Sequence, residues 1–361
     1  MDEAEKSPPR RRPTRIARSL GWCRKGLRVF GQFLLIAWAT LAIYLSNLPW
    51  AWARLASAIV FGLFAVWALW ITRRRAMRWA FAGVFAGVLL WWICIPPLQY
   101  RPWRGDVAVL PRAIIHGDRV RIVNLRNFTY RSRHDFDARY EEREFSLARV
   151  TSLDLFVSYW QVGPVGHTFV SFNFDDGSPP LSISIETRPE VGEGFDPLAS
   201  MFKQFELIYV VGDEHDLVGS RASHRSEEVF LYRIIAAPGG VRQLLRYYLD
   251  RINELADRPE WYHLLTNSCT VNIFRYANAA GRQGRFDMRQ LLNGWVDAYL
   301  FAAGWMDTTL PFEELRRRSR ITDVAKAAAN APDFSQRIRA YLPPAAELDT
   351  NDTHYTHYTN E

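Results

Sequence analysis

The spacing of apolar positions changes character twice along this chain. From Val29 to Ile95 apolar residues come in three nearly unbroken runs, Val29–Leu48, Leu55–Thr72 and Trp79–Ile95. Each run is uncharged and close to the roughly 17–25 residues that a bilayer-spanning helix needs, so three transmembrane helices are expected. Trp50, Trp52, Trp79, Trp91, Trp92 and Trp103 stand at the run ends, as interfacial aromatic belts do. That placement separates the runs from the buried helices of a soluble core. A cleaved signal peptide does not fit three runs in series with no small-residue cleavage site after the first.

Beyond Arg104 the pattern shortens and alternates. Ile114–Leu125 alternates about a Gly-Asp pair and predicts a hairpin. Further strands are predicted over Leu153–Trp160, His167–Phe174, Leu181–Thr187, Glu206–Val211 and Val229–Ile234. After Pro238 the period becomes helical, in Val241–Leu255, in a segment opening at Cys269, and in Met288–Gly304. Strands first and helices after predict an α+β domain. The organisation is therefore a basic arm (1–28), a three-helix membrane anchor (29–95), an extracytoplasmic domain (104–344) and a polar, low-complexity tail (345–361) that is expected to be disordered.

Charge sets the orientation. The formal net charge is +7, yet residues 1–78 hold 14 basic residues against 3 acidic ones, and the remainder holds 31 against 35. The basic residues lie in the arm and in the second loop (Arg73, Arg74, Arg75, Arg78), while the first loop has only Arg54. Positive charge stays cytoplasmic, which puts the N-terminus inside and the domain outside, in the periplasm of a bacterium. The basic surplus therefore sits in the N-terminal part and the folded domain is slightly acidic overall, so nucleic acid is not expected as a partner.

An exported domain makes its one cysteine informative. Cys23 lies in the arm and Cys94 in the third run, which leaves Cys269 without a partner in an oxidising compartment. It follows an Asn267-Ser268 turn, and the spacing of Val271, Phe274 and Ala277 places it at a helix start. Unpaired N–H groups and the helix dipole stabilise a thiolate there and can receive an oxyanion. Such a thiol is expected to be a nucleophile rather than a packed core residue. It needs a base and a group to orient that base. His167 opens an alternating strand, and with Phe174 paired to Leu181 it faces Arg188, with Glu186 diagonal on the same face. His116, His134, His215, His224 and His263 read as loop or turn residues, and none has the compact spacing of a metal site.

At these residues the chain resembles a known family. GHTFVSFNF, SISIETR, FELIYVVGDEHDL, EWYHLLTNSCTVNIFRY and LPFEELRRRSRIT are similar to the bacterial Lnb N-terminal periplasmic domain, which includes lipoprotein N-acyltransferases, and the order of His and Cys resembles circularly permuted papain-like enzymes. The resemblance implies Cys269 as nucleophile, His167 as base and Glu186 as its orienting group; the backbone N–H groups at the helix start, helped by Asn267 or Tyr159, are expected to receive the oxyanion. It implies acyl transfer through the thiol, and the short Pro96-Pro97 link, which holds the domain at the bilayer surface, favours a phospholipid or other envelope donor and a lipoprotein amine, a peptide or water as acceptor at the inner membrane, with no cofactor or metal expected. A thiol amidase acting on cell-wall peptides and a non-catalytic envelope binding module are the alternatives.

Overall fold

The computed structural model describes residues 15–342, apart from residues 47, 49, 73, 161–164, 282–286 and 292. Most of the basic arm, Arg73 and the polar tail lie outside the described residues. The chain divides into two units, residues 1–96 and 97–361.

The first unit is three helices: α1 (Arg15–Tyr44), α2 (Ala51–Val66), which runs on into a π-helical turn at Trp67–Ile71, and α3 (Arg75–Cys94). Three stretches are long and apolar enough to cross a membrane: Trp22–Tyr44, Ala51–Ile71 and Arg75–Cys94. The first helix ends short of the expected Leu48. Ser46 Oγ donates to Ile43 O at 2.8 Å, and Pro49 two residues past Asn47 cannot continue a helix. Inside the unit Ala39, Ala58, Ala65 and Ala68 are buried with Ile36, Ile43, Phe61 and Phe81; small side chains let the helix backbones approach closely. Outward stand Phe33, Leu34, Val60, Leu63, Leu90 and Ile93, an apolar surface suited to lipid rather than water.

The second unit is an antiparallel-dominated sheet between two helical layers. Its elements in chain order are β1 (Arg112–His116), β2 (Arg119–Arg126), β3 (Thr129–Tyr130), β4 (Phe136–Asp137), β5 (Tyr140–Ser146), β6 (Val150–Tyr159), β7 (His167–Phe174), β8 (Leu181–Arg188), β9 (Glu206–Gly212), α4 (Glu214–Gly219), β10 (Glu228–Ile234), α5 (Pro238–Asp257) and α6 (Cys269–Ala279). The strands run β1-β2-β9-β8-β7-β6-β10, with β5 also on β2. The expected hairpin is β1–β2, turned at Gly117, whose φ of +61° suits a residue without Cβ. A second glycine is needed at the one parallel contact, Arg126 with Gly212. A Cβ on Gly212 would lie 2.9 Å from Arg126 O, closer than real atoms approach.

Strand alternation assigns each face its layer. On one face Phe172 and Tyr209 pack against Tyr248 of α5, and Thr168 Oγ1 lies 2.9 Å from Thr270 Oγ1 of α6. On the other, Phe156, Phe169, Ile208 and Val210 pack against Leu217 and Val218 of α4 and against Ile321 and Ala325. Residues upstream of the expected start at Arg104 already bond into this unit: Gln99 Nε2 donates to Ala256 O at 2.8 Å, and Arg101 pairs with Glu206 at 3.1 Å.

Two expectations change here. The β7–β8 register runs Phe172 to Leu181 and Phe169 to Ser184, two residues from the one inferred from the turn. An even shift keeps every side chain on its face, and it carries His167 from opposite Arg188 to opposite Glu186. The helix expected over Met288–Gly304 is broken into 3-10 turns at Met288–Gln290 and Asn293–Trp295, followed by α7 (Val296–Ala302). An Asn-Gly pair in mid-pattern favours a turn over a helix interior, and Gly294 O is taken by Tyr159 Oη at 2.9 Å.

Candidate active site

Cys269 is the first residue of α6 and is 1% exposed. Asn293 Nδ2 donates to its Sγ at 3.2 Å and to Gly166 O at 3.1 Å, so the break in the C-terminal helical segment delivers an amide to the sulfur. Tyr262 also faces Cys269; burial first, and then the neighbouring thiol, raise its hydroxyl well above the usual pKa. It therefore stays an O–H donor at any physiological pH. The N-cap residue Ser268 makes no side-chain cap, and its buried Oγ has no partner among the described residues.

The residues expected to help the oxyanion are committed elsewhere. Asn267 Nδ2 donates to Trp261 O at 2.9 Å, and its Oδ1 accepts from Asn272 at 2.9 Å, so its amide ties down the loop before α6. Tyr159 gives its O–H to Gly294 O and thereby positions the turn that carries Asn293. Sequence reasoning missed Asn293 and Tyr262. The Asn293-Gly294 pair inside a helical pattern was the available signal for the first; Tyr262, seven residues before the thiol, carried none.

His167 belongs to a different group of side chains. Its Nε2 lies 2.7 Å from Ser184 Oγ, which donates to Glu186 Oε1 at 2.8 Å; the direct distance from ring to carboxylate is 4.0 Å. Glu186 in turn pairs with Arg221 at 2.7 Å, and Arg221 with Glu227 at 3.3 Å. Glu227 also accepts from Ser158 Oγ. Burial pushes the His167 pKa from 6.5 down to about 3, Arg221 adds to the shift, and Glu186 opposes it. Burial raises the Glu186 carboxyl, but Arg221, His167 and Arg225 outweigh it and hold the group well below its usual range. Imidazole and carboxylate are thus neutral and ionised respectively.

The two groups point to opposite faces. Thr168 turns toward α6 and meets Thr270; His167, one residue earlier, turns to the other side, where its ring stacks on Phe169 at 6.0 Å. Among the described contacts none joins the imidazole to the Cys269 sulfur. The structure brings His167 and Glu186 together, and Cys269 and Asn293 together, at the same end of β7. The remaining histidines have structural partners or open surroundings: His215 Nε2 bonds to Ala329 O, and His263 accepts from Leu265 N at 3.3 Å. Among the described residues no group of three or more His, Cys, Asp and Glu side chains is placed to hold a metal ion.

Fold and composition define a membrane protein with three apolar helices and a mixed α+β domain that carries a buried thiol at a helix start. Residues 136–294 match the family model of the Lnb N-terminal periplasmic domain. The matched stretch is where most of the motifs carry the resemblance, and it includes Tyr159, His167, Glu186, Asn267, Cys269 and Asn293. No curated protein and no solved structure matches the chain.

Proposed function

We propose that the protein is an envelope acyl-transfer enzyme of the inner membrane, with its N-terminus cytoplasmic and Cys269 as the nucleophile of its periplasmic domain. The observation that carries the reading is the sulfur's setting: a buried thiol on the first residue of α6, with the Asn293 amide donating to it at 3.2 Å. Helix N–H groups and N–H donors favour the ionised sulfur over the thiol. In the first half-reaction the sulfur forms a bond to the acyl carbonyl, the ester C–O bond breaks, and the proton given up by the thiol leaves with the alcohol. In the second, an amine or water attacks the thioester carbonyl and the thiol returns. The neutral His167 is the proton carrier of this reading. Its Nε2 is held by Ser184, so Nδ1 is the nitrogen that serves sulfur, and service requires the ring to turn about the strand end at Gly166. Tyr262 and the first N–H groups of α6 receive the oxyanion. The short Pro96-Pro97 link to the membrane anchor favours a phospholipid donor, with a lipoprotein amine, or water, as acceptor.

A second reading is a thiol-bearing envelope module without catalysis, favoured by the placement of the His167 ring on the opposite face from Cys269. One experiment separates the two. The full chain in detergent is incubated with a short-chain lipid thioester or activated ester, and the Cys269 peptide is weighed. Acylation at Cys269 that is slowed at least tenfold in His167→Ala supports the enzyme; a peptide of unchanged mass, while Cys269 remains alkylatable, supports the module.

A further inference from the structure

We propose that Asn293 is a catalytic residue of the thiol centre: its amide meets the Cys269 sulfur in the resting site, where no described imidazole reaches it, and supports that sulfur as the thiol gives up its proton. The inference rests on the acyl-transfer reading of Cys269. Asn293 is placed by the 3-10 turn Asn293–Trp295, which Tyr159 anchors through Gly294 O. One Nδ2 hydrogen goes to Gly166 O at 3.1 Å and the other to Cys269 Sγ at 3.2 Å. A carbonyl oxygen only accepts, so Gly166 settles which end of the amide is the NH2. A thiolate accepts such an N–H much better than a thiol does, and the bond therefore favours ionised sulfur.

The other end of the amide is unspent. The residue is 4% exposed, and its Oδ1 is buried with no hydrogen-bond partner among the described residues, against the rule that buried polar atoms are satisfied. Beside the reacting sulfur, that oxygen is an acceptor for the N–H of an attacking amine or the O–H of an attacking water. Asn293 thus donates to sulfur before acylation and takes a hydrogen bond from the acyl acceptor after it, without gaining or losing a proton itself. Ser268 Oγ, one residue before Cys269, is likewise buried with no partner among the described residues.

Peptide-resolved iodoacetamide alkylation of the full chain in detergent tests this, with Cys23 and Cys94, both exposed, scored separately. The ratio of the Cys269 rate at pH 7 to that at pH 10 reads the ionised fraction and cancels access. Asn293→Leu is expected to lower the ratio about tenfold, and Asn293→Asp, nearly isosteric but lacking the donor and bearing a charge, by more. A folded variant of either kind whose ratio stays within twofold of wild type overturns the proposal. Wild type alone gives a test that needs no variant: its folded ratio should exceed its ratio in 8 M urea (roughly full unfolding), and equal ratios also overturn it. Failure of the acyl-transfer reading shows differently, as a wild-type thiol that takes no acyl group while its ratio still falls in Asn293→Leu.

Discussion

Continued past its last pair, Phe169 with Ser184, the β7–β8 register sets Glu186 opposite His167, yet its carboxylate meets the ring through Ser184, 2.7 Å from the imidazole and 2.8 Å from the carboxylate. The reason is Arg221, whose guanidinium lies 2.7 Å from the same Oε1 atom. A buried cation outcompetes a neutral imidazole for the carboxylate, and the serine hydroxyl spans what is left. Glu186 therefore has two contacts, a direct one to Arg221 and one to His167 through Ser184.

Substitutions separate those contacts. Glu186→Gln leaves Arg221 with Glu227 alone, and breaking a buried pair from one side costs about 3–5 kcal/mol. Ser184→Ala removes only the bridge, with a cost of about 1 kcal/mol. Urea unfolding of the two variants is expected to show that gap. If the carboxylate acts on the ring through Ser184, both variants lower Cys269 acylation alike once folded. A Ser184→Ala chain with wild-type acylation would reduce the bridge to packing.

Acid sensitivity follows from the same cluster. His167 has its pKa pushed down to about 3, by burial first and by Arg221 second. Between pH 6.5 and that value the unfolded chain binds a proton that the folded chain refuses. The contribution of His167 to stability is thus whole above about pH 6.5 and is lost as pH falls. Glu186, held below its usual range, adds a loss of the same sign only below about pH 4.5. From pH 6.5 to 4.5 the expected loss from His167 is up to about 3 kcal/mol, with a smaller loss from His263, which burial also lowers. His167→Gln, which keeps a partner for Ser184, should flatten the fall in the urea midpoint over this window. Equal slopes in the two chains would show that the imidazole is protonated in the fold.

Topology is open to direct measurement. The second loop carries Arg74, Arg75 and Arg78, whereas the first has Arg54 alone, and Arg54 is spent on Ser46 O at 2.7 Å. Alkaline phosphatase fused after Glu361 is expected to be active, and a fusion in the second loop inactive. The reverse pattern would remove the domain from the compartment in which an unpaired Cys269 is informative.

Much of this architecture was legible in the residues because it rests on local pattern. The three apolar runs, the strand His167–Phe174 and the helix start at Cys269 appear where hydrophobic period and turn chemistry put them. The face of Glu186 was legible too, since a register two residues out preserves it. What was not legible depends on contacts distant in sequence. Arg221 reaches Glu186 from 35 residues away, and its competition with His167 leaves no trace in either motif. The side of the sheet on which α6 packs is likewise decided by the whole layer of α5 and α6 against Phe172 and Tyr209, and that layer separates Cys269 from the His167 ring. Asn267 looked suited to an oxyanion because it precedes the thiol, but a loop of that shape needs its own hydrogen bonds, and Asn267 supplies them.

Tyr159 gives the last prediction, because it links the sheet to the turn beside the thiol. Its ring is fixed by Phe230, edge to face at 5.6 Å, and by the Arg316 guanidinium 5.5 Å from its centre. Only its hydroxyl reaches Gly294 O. Tyr159→Phe keeps the ring in place and leaves that buried carbonyl without its donor, a cost of about 1–3 kcal/mol. The turn Asn293–Trp295 then loses its tie to β6, and Asn293 its fixed approach to sulfur. The expected result is a lower urea midpoint together with a severalfold drop in the ratio of Cys269 alkylation at pH 7 to that at pH 10. A drop in stability with an unchanged ratio would mean that Gly166 O alone holds Asn293 in place, and that the hydroxyl of Tyr159 serves the fold and not the thiol.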